Sequence, residues 1–159
     1  EIEGAWKVNF QAGRGAPASA ELNQLASWTA NSDPGIRYFS GTGTYFKTIN
    51  MPGNWQQKGT RILIDLGEVK NLAEVIVNGK PAGLVWKQPF RVDITDQLRQ
   101  GQNQLEIRVT NLWVNRLIGD QQPGVQQKIT YTTMPFYKAD SPLLPSGLIG
   151  PVKLISRQN

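Results

Sequence analysis

The chemistry open to this chain is limited first by two residue types that it lacks. Its 159 residues include neither histidine nor cysteine. The absence of histidine removes the usual general base and the commonest metal ligand, and the absence of cysteine removes thiolate nucleophiles and disulfides. The sequence therefore excludes Ser-His-Asp triads, Cys-His dyads and zinc hydrolysis, and it leaves carboxylate chemistry as the main enzymatic route.

The twelve acidic residues do not form a catalytic pair along the sequence. Glycoside hydrolysis by carboxylates requires two carboxyl groups about 5–5.5 Å or about 6.5–9.5 Å apart. Asp65, Asp93 and Glu106 alternate with apolar residues, which is typical of a solvated sheet face. Because no pair emerges whose surroundings would separate two pKa values, we predict no catalytic residue in this chain.

Tryptophans near predicted strand ends are candidates for binding sugars. Sugars stack their C–H faces on aromatic rings, while charged and amide side chains bond to their hydroxyl groups. Among the five tryptophans, Trp86 and Trp113 are the better candidates, because Trp86 lies near Phe90 and Trp113 precedes a polar run. The alternative for each ring is a hydrophobic plug at the edge of the core.

The polar run after the second of these tryptophans supplies the other kind of contact. Asn115, Arg116 and Asp120 bring an amide, a guanidinium and a carboxylate within six residues. They would either bind sugar hydroxyls or, in the case of Arg116 and Asp120, form an internal ion pair that holds the loop. Asp33 and Arg37 allow the same two interpretations, and all five are candidate carbohydrate-binding residues.

We expect no metal ion or organic cofactor from this sequence. The alternative is a structural calcium ion, held by carboxylates and backbone carbonyls near Asp33 or Asp120. The chain lacks, however, an Asp-x-Asp run of the kind that supplies clustered ligands.

The net charge of +5 does not indicate a nucleic-acid partner. The 17 lysines and arginines are spread along the chain and no two are adjacent, whereas nucleic-acid surfaces usually show a basic cluster. The chain also lacks the run of about 18 apolar residues that a membrane-spanning helix requires. We therefore expect neither nucleic-acid binding nor a membrane span.

Alternating apolar residues indicate the strands that must position these candidates. Residues 6–10 form one alternating run, and residues 105–109 form the clearest one, with Leu, Ile and Val separated by polar residues. Asn78-Gly79 lies between two apolar runs and predicts a two-residue hairpin, because both turn positions favour positive φ.

The remaining pattern predicts an all-β chain. Further runs, including 128–133, are predicted strands, and only 22–28 and 96–99 are predicted to be helical. We expect residues 1–159 to form a single domain, an antiparallel β-sandwich of the jelly-roll type.

Five segments occur in the order found in one family of sugar-binding domains. They are 36–45, 65–69, 73–79, 86–95 and 101–107. Together they resemble the jelly-roll, galactose-binding-like domain of β-galactosidase-type and β-glucuronidase-type glycoside hydrolases. Two more segments, 111–120 and 147–152, are similar to the accessory sandwiches of α-L-rhamnosidase-type enzymes. The resemblance covers most of residues 36–155.

The resemblance implies a noncatalytic accessory domain of a glycoside hydrolase. In the enzymes that it resembles, the acid/base pair lies in a separate catalytic barrel. This domain would support that barrel within the same polypeptide, with carbohydrate binding as an additional role. Because the chain begins at Glu1 without an initiator methionine, we expect it to be a segment of a longer protein. The resemblance also implies an extracellular or periplasmic location.

Two alternative functions remain open at this point. One is an autonomous carbohydrate-binding module that uses Trp86 or Trp113 as its stacking platform. The other is a protein-interaction domain, which predicts an exposed apolar patch in place of a polar groove rimmed by aromatic rings.

Overall fold

The computed structural model describes residues 1–51, 53–55 and 59–158, which are mainly β-structure. Their strands are β1 (Trp6–Phe10), β2 (Ser19–Leu22), β3 (Thr42–Met51), β4 (Thr60–Asp65), β5 (Glu68–Lys70), β6 (Leu72–Val77), β7 (Lys80–Val85), β8 (Arg91–Asp93), β9 (Gly101–Thr110), β10 (Gly147–Gly150) and β11 (Lys153–Gln158). The helices are α1 (Pro34–Arg37) and α2 (Val114–Gly119), with 3-10 turns at Trp28–Ala30, Gly53–Trp55 and Thr95–Gln97. None of these helices has the length and hydropathy needed to cross a membrane.

Antiparallel strands form a sandwich with one larger face. Six strands pair in the order β2-β1-β3-β9-β6-β7, and the opposite side carries the three-stranded sheet β11-β4-β8 and the two-stranded sheet β10-β5. Buried residues of both sides, such as Ile107 of β9 and Ile64 of β4, belong to a single hydrophobic cluster. The predicted all-β sandwich is therefore confirmed.

The alternating sequence runs have the burial that they predict. Along β1 the side chains are alternately buried and exposed, and along β9 Leu105, Ile107 and Val109 are all buried. At the centre of the core, the hydroxyl of Tyr45 accepts a hydrogen bond from the backbone N–H of Leu148 at 2.9 Å. Burial raises the pKa of Tyr45 above its usual value, so the phenol stays neutral and links the two sheets.

The Asn78-Gly79 hairpin also forms as predicted. Both residues have positive φ, 52° and 76°, and Val77 pairs with Lys80 across the turn. The Asn78 side chain donates to the Asn103 side chain at 2.8 Å. The turn is thus fixed both by its own backbone preference and by a hydrogen bond to β9.

The two helical predictions need correction. Residues 22–28 are not a helix, because Leu22 pairs with Trp6 at the sheet edge and helical structure begins only in the 3-10 turn at Trp28–Ala30. The predicted helix at 96–99 is a 3-10 turn that ends at Gln97.

The predicted strand at 128–133 is also wrong. The backbone N–H groups of Ile129 and Thr130 donate to the carboxylate of Asp120 rather than to a neighbouring strand. A side chain therefore takes the hydrogen bonds that a sheet ladder would need.

One end of the six-stranded sheet carries the candidate site residues. Thr110, the last residue of β9, lies opposite both Thr42 of β3 and Leu72 of β6. Val85, the last residue of β7, lies opposite Ala73 of β6. The segments that precede β3 and follow β7 and β9 therefore leave the sheet at the same end, which we call the loop end.

Candidate functional site

Trp113 lies half-exposed at the loop end, directly before α2. Its ring is 48% exposed, and Cζ of Arg14 lies 4.5 Å from the ring centroid. Arg14 belongs to the connection between β1 and β2, so this cation–π contact joins two loops. The ring is available at the surface, and its contact with sugar stays a prediction.

Trp86 is more exposed than Trp113 and has its own cation–π contact. Its side chain is 66% exposed just after β7, and the Lys87 ammonium lies 5.5 Å from the ring centroid. Trp86 leaves the sheet two strands away from Trp113, since β6 lies between β7 and β9. The two predicted stacking platforms are therefore separate, and sugar contact at Trp86 also stays a prediction.

Arg116 and Asp120 face each other across one turn that begins in α2. Nε of Arg116 lies 3.1 Å from Oδ1 of Asp120, and the two side chains are only 8% and 1% exposed. Apart from this contact, these two atoms have no hydrogen-bond partner among the described residues. The structure therefore shows the internal ion pair that the sequence left as an alternative, and sugar contact by Arg116 or Asp120 remains untested.

The second carboxylate oxygen of Asp120 holds the following loop. Oδ2 accepts hydrogen bonds from the backbone N–H of Ile129 at 3.1 Å, from that of Thr130 at 2.7 Å, and from the Thr130 hydroxyl. Burial by itself would raise the pKa of Asp120, but these hydrogen bonds and the Arg116 charge together lower it. Asp120 is thus an ionised anchor at neutral pH.

Asn115 fixes α2 to the segment that precedes β10. Its Nδ2 donates to the carbonyl of Leu144 at 2.7 Å, and its Oδ1 accepts from the N–H of Leu144 at 2.9 Å. On the other side, the backbone N–H of Arg116 donates to the Ser40 hydroxyl at 3.1 Å. The predicted polar run is therefore brought together as a buried structural hub, and sugar binding by Asn115 stays a prediction.

Asp33 and Arg37 are placed at the two ends of α1. The Asp33 carboxylate accepts from the N–H of Gly35 at 2.7 Å and caps the helix. Nε of Arg37 donates to the carbonyl of Asn31 at 3.0 Å. Both side chains have local structural partners, and no contact in the structure tests the sugar-binding role predicted for them.

The two carboxylates considered for calcium, Asp33 and Asp120, have protein hydrogen-bond partners in the structure. Calcium takes roughly six to eight oxygen ligands. Within the described residues, no three acidic side chains come together in a way that could hold a metal ion. The Asp120 carboxylate pairs with Arg116 and accepts hydrogen bonds from Ile129 and Thr130, and calcium binding by these residues stays an untested alternative.

A groove with aromatic walls lies between α2 and the loop that Asp120 anchors. It has a volume of about 440 Å³, and we call it the Trp113 groove. Its lining residues are Trp113, Leu117, Ile129, Thr130, Tyr131 and Thr132. Since Asp120 holds Ile129 and Thr130 in place, the buried ion pair positions one wall of this groove.

An apolar strip continues from the groove. Met134 and Phe136 are 80% and 81% exposed, and with Pro135 they line a cleft of about 180 Å³ against Leu117. We call Met134, Pro135 and Phe136 the apolar strip. Exposed apolar side chains that are clustered in this way mark interaction surfaces.

Asp65 and Glu106, two acidic residues of the sheets, are paired with arginines. Arg91 donates to Asp65 at 2.7 Å, and Arg108 donates to Glu106 at 2.7 Å. Burial would raise the pKa of Asp65, but hydrogen bonds from the Gly67 N–H and from Arg91 lower it. A general acid needs the opposite shift, so Asp65 is not suited to that role.

The sequence reasoning did not identify Tyr131, Met134 and Phe136. A strand at 128–133 would divide its side chains between the core and solvent, and this prediction gave Tyr131 no role in a binding site. The available signal was composition: aromatic and apolar residues cluster at 131–137 around a proline, between two polar loops.

The fold and the loop end define a class of protein. It is a β-sandwich domain with a surface groove that is lined by two aromatic rings, Trp113 and Tyr131. A family model described as "Glycosyl hydrolases family 2, sugar binding domain" matches residues 4–138, so the chain belongs to this family. The resemblance drawn from the sequence motifs is confirmed.

Two longer proteins match nearly the whole chain. The structure of a rhamnosidase from Novosphingobium sp. PP1Y is 55% identical with a TM-score of 0.94, and the match covers 98% of this chain and 15% of that one. A protein of Formosa agariphila named "Putative beta-glucuronidase" is 36% identical, over 96% of this chain and 15% of its own length. A β-glucuronidase structure from an uncultured Clostridium sp., 22% identical with a TM-score of 0.59, covers 70% of this chain and 22% of its own and shares the fold.

The chain matches only a small part of each of these two relatives. The chain spans 15% of the length of both the rhamnosidase and the Formosa protein. In those proteins the matching region is an accessory domain attached to a much longer polypeptide. The prediction of an accessory β-sandwich of the glycoside hydrolase type is confirmed at this level.

Proposed function

We propose that this chain is a noncatalytic accessory domain of a larger glycoside hydrolase and packs against the catalytic domain of the same polypeptide. The observation that carries the proposal is the coverage, since 98% of the chain matches only 15% of the rhamnosidase. Asp65 and Asp93 have lowered pKa values and are not suited to act as general acids, so we assign that role to another domain.

The activity that we propose for the parent protein is hydrolysis of a glycoside. A rhamnoside is the first substrate to test, because the rhamnosidase is 55% identical over 98% of this chain. The full polypeptide and the 159-residue chain should be assayed with p-nitrophenyl rhamnoside and p-nitrophenyl glucuronide. We expect the full polypeptide to hydrolyse one of them and the chain alone to hydrolyse neither. Hydrolysis by the chain alone would overturn the proposal.

The apolar strip supports packing within the polypeptide. Met134 and Phe136 place large apolar side chains in solvent, and burying each would contribute roughly 1.5–3 kcal/mol. In an autonomous carbohydrate-binding module the apolar strip would always be exposed to solvent. The exposed apolar patch predicted for an interaction domain is thus present, and we assign it to a contact inside the parent protein.

Paired substitutions test this packing. We expect Met134→Ser with Phe136→Ser to lower the activity and the melting temperature of the full polypeptide, because the interdomain contact is weakened. Leu84→Ser is the matched control, since Leu84 is 59% exposed on β7 and lies outside the strip. Equal effects of the two changes would contradict the packing proposal.

We also propose an extracellular or periplasmic location. The family resemblance is its support, and fractionation of the source cells tests it.

A further inference from the structure

We propose that the Trp113 groove binds a neutral pyranose sugar, so that this domain carries a saccharide subsite of its own. Only the role of this subsite within a larger enzyme rests on the proposed function. Sugar binding by the groove is a property of this chain and can be measured without the parent.

The walls of the groove have the size and the faces that a sugar ring needs. Trp113 is 48% exposed and Tyr131 is 89% exposed, and both line the groove. Leu117 and Ile129 add aliphatic surface. The volume of about 440 Å³ lies within the range of roughly 300–1,000 Å³ that is typical of small-molecule sites. The C–H face of a pyranose can therefore stack on an aromatic ring while its other face stays in solvent.

The polar groups of the groove are hydroxyls rather than charges. The Thr130 hydroxyl donates a hydrogen bond to Asp120. The lone pairs of the Thr130 oxygen are therefore free to accept a hydrogen bond from a sugar hydroxyl. The phenol of Tyr131 adds a group that can donate or accept. Among the described residues that line the groove, none is charged. This lining matches a neutral sugar better than a uronate or a phosphate.

The groove is held in its open shape by contacts that lie behind it. Asp120 fixes the backbone of Ile129 and Thr130, and the buried Arg116 holds Asp120. Arg14 stacks on Trp113 and is not among the lining residues. Because these groups are ordered before a ligand arrives, binding loses less conformational entropy.

The groove and the apolar strip differ in chemistry, and this difference favours a sugar in the groove. The side chains of Met134 and Phe136 have no hydroxyl or amide group, which suits an apolar protein surface. The groove combines two aromatic rings with the hydroxyls of Thr130 and Tyr131, which suits a ligand that presents both C–H and O–H groups.

The test is a titration of the 159-residue chain with sugars. The tryptophan indole N–H signals are monitored by NMR at each sugar concentration. The probes are methyl β-D-glucopyranoside, methyl α-D-mannopyranoside and sodium D-glucuronate. We expect at least one neutral pyranoside to shift the Trp113 signal saturably at millimolar concentration. The uronate should bind more weakly than that pyranoside.

Variants assign the binding to the groove. Trp113→Ala should abolish the saturable response, and Tyr131→Ala should weaken the affinity by roughly tenfold, as loss of a binding hot spot does. Tyr131 is 89% exposed, so its truncation keeps the test valid if Trp113→Ala fails to fold. Trp86→Ala is the matched control, because Trp86 is exposed at the same end of the sheet but does not line the groove. It should bind as the unmodified chain does.

Three results would overturn the proposal. They are no saturable shift with either pyranoside, unchanged affinity in Tyr131→Ala, and tighter binding of the uronate. If Trp113→Ala instead destabilises the full polypeptide while no sugar binds, the groove is part of a protein contact. None of these results affects the accessory-domain proposal, which is tested separately through Met134 and Phe136.

Discussion

Strand β9 and the segment 111–146 that follows it differ in where their charged and large apolar side chains lie. In β9, Ile107 is fully buried, while the neighbouring Arg108 is 48% exposed and pairs with Glu106 on the sheet surface. In the following segment, Arg116 and Asp120 are buried and Phe136 is 81% exposed. The segment thus combines a buried ion pair and a buried Ile118 with large apolar side chains in solvent.

This difference separates what stabilises the domain from what the domain presents to others. The sandwich is stabilised by apolar burial, whereas the loop is held by an ion pair and by hydrogen bonds to Asp120. Apolar side chains such as Met134 are therefore not needed to fold the loop and remain exposed. Under the proposed function, a surface of the parent protein covers them.

The largest expected effect is the loss of the buried anchor. Asp120→Ala leaves the Arg116 guanidinium buried without its partner and removes three hydrogen bonds from the loop. We expect the free energy of unfolding to fall by about 3–5 kcal/mol. Chemical denaturation monitored by circular dichroism measures it.

Two controls accompany that variant. Asp140→Ala removes an exposed acid from the same segment and should be nearly neutral. Arg116→Met combined with Asp120→Leu removes both charges and should recover part of the stability. If the double variant is less stable than Asp120→Ala, the pair is not the source of the effect.

Acid should weaken the same anchor. The pKa of Asp120 is lowered on folding, so the stability that it contributes is complete above its unfolded pKa of about 3.9 and is lost as the pH falls below that value. Each unit by which the pKa is lowered corresponds to about 1.4 kcal/mol. Denaturation at a series of pH values should show a shallower acid slope in Asp120→Asn. An unchanged slope would show that Asp120 titrates equally in both states.

A smaller effect is expected in the sheet. Ile107→Val removes one buried methyl group from β9 and should lower the free energy of unfolding by about 0.5–1.5 kcal/mol. Amide exchange should rise throughout the sandwich, while sugar binding in the Trp113 groove stays unchanged. A selective loss of the loop would contradict the separation between sandwich and loop.

The smallest effect is expected at the apolar strip of the isolated chain. Met134→Ser and Phe136→Ser change exposed side chains, so each should alter the free energy of unfolding by no more than about 0.5 kcal/mol. Denaturation of the isolated variants measures this. A large loss would mean that the strip packs against the domain itself.

The sandwich could be predicted from local pattern, whereas much of the loop could not. The alternation in 105–109 reports burial directly, and Asn78-Gly79 specifies its own turn. The residues 128–133 also have strand-like composition, but their amides bond to Asp120, which lies about ten residues away. A side chain that captures backbone donors at that distance leaves no periodic signal.

The candidate site divides in the same way. The sequence offered an internal Arg116–Asp120 pair as one of two interpretations, and the structure shows this pair. The exposed position of Trp113 agrees with its place after β9. The position of Tyr131 in the groove depends on the backbone that Asp120 holds. This position could therefore be identified only in the folded structure.

The central claim is that the segment 111–146 exposes apolar side chains because another part of the polypeptide covers them. Hydrogen–deuterium exchange, compared between the 159-residue chain and the full polypeptide, tests this most directly. We predict that residues 134–137, which contain the apolar strip, exchange more slowly in the full polypeptide, while the amides of β9 are unchanged. Equal exchange of residues 134–137 in the two proteins would contradict the account.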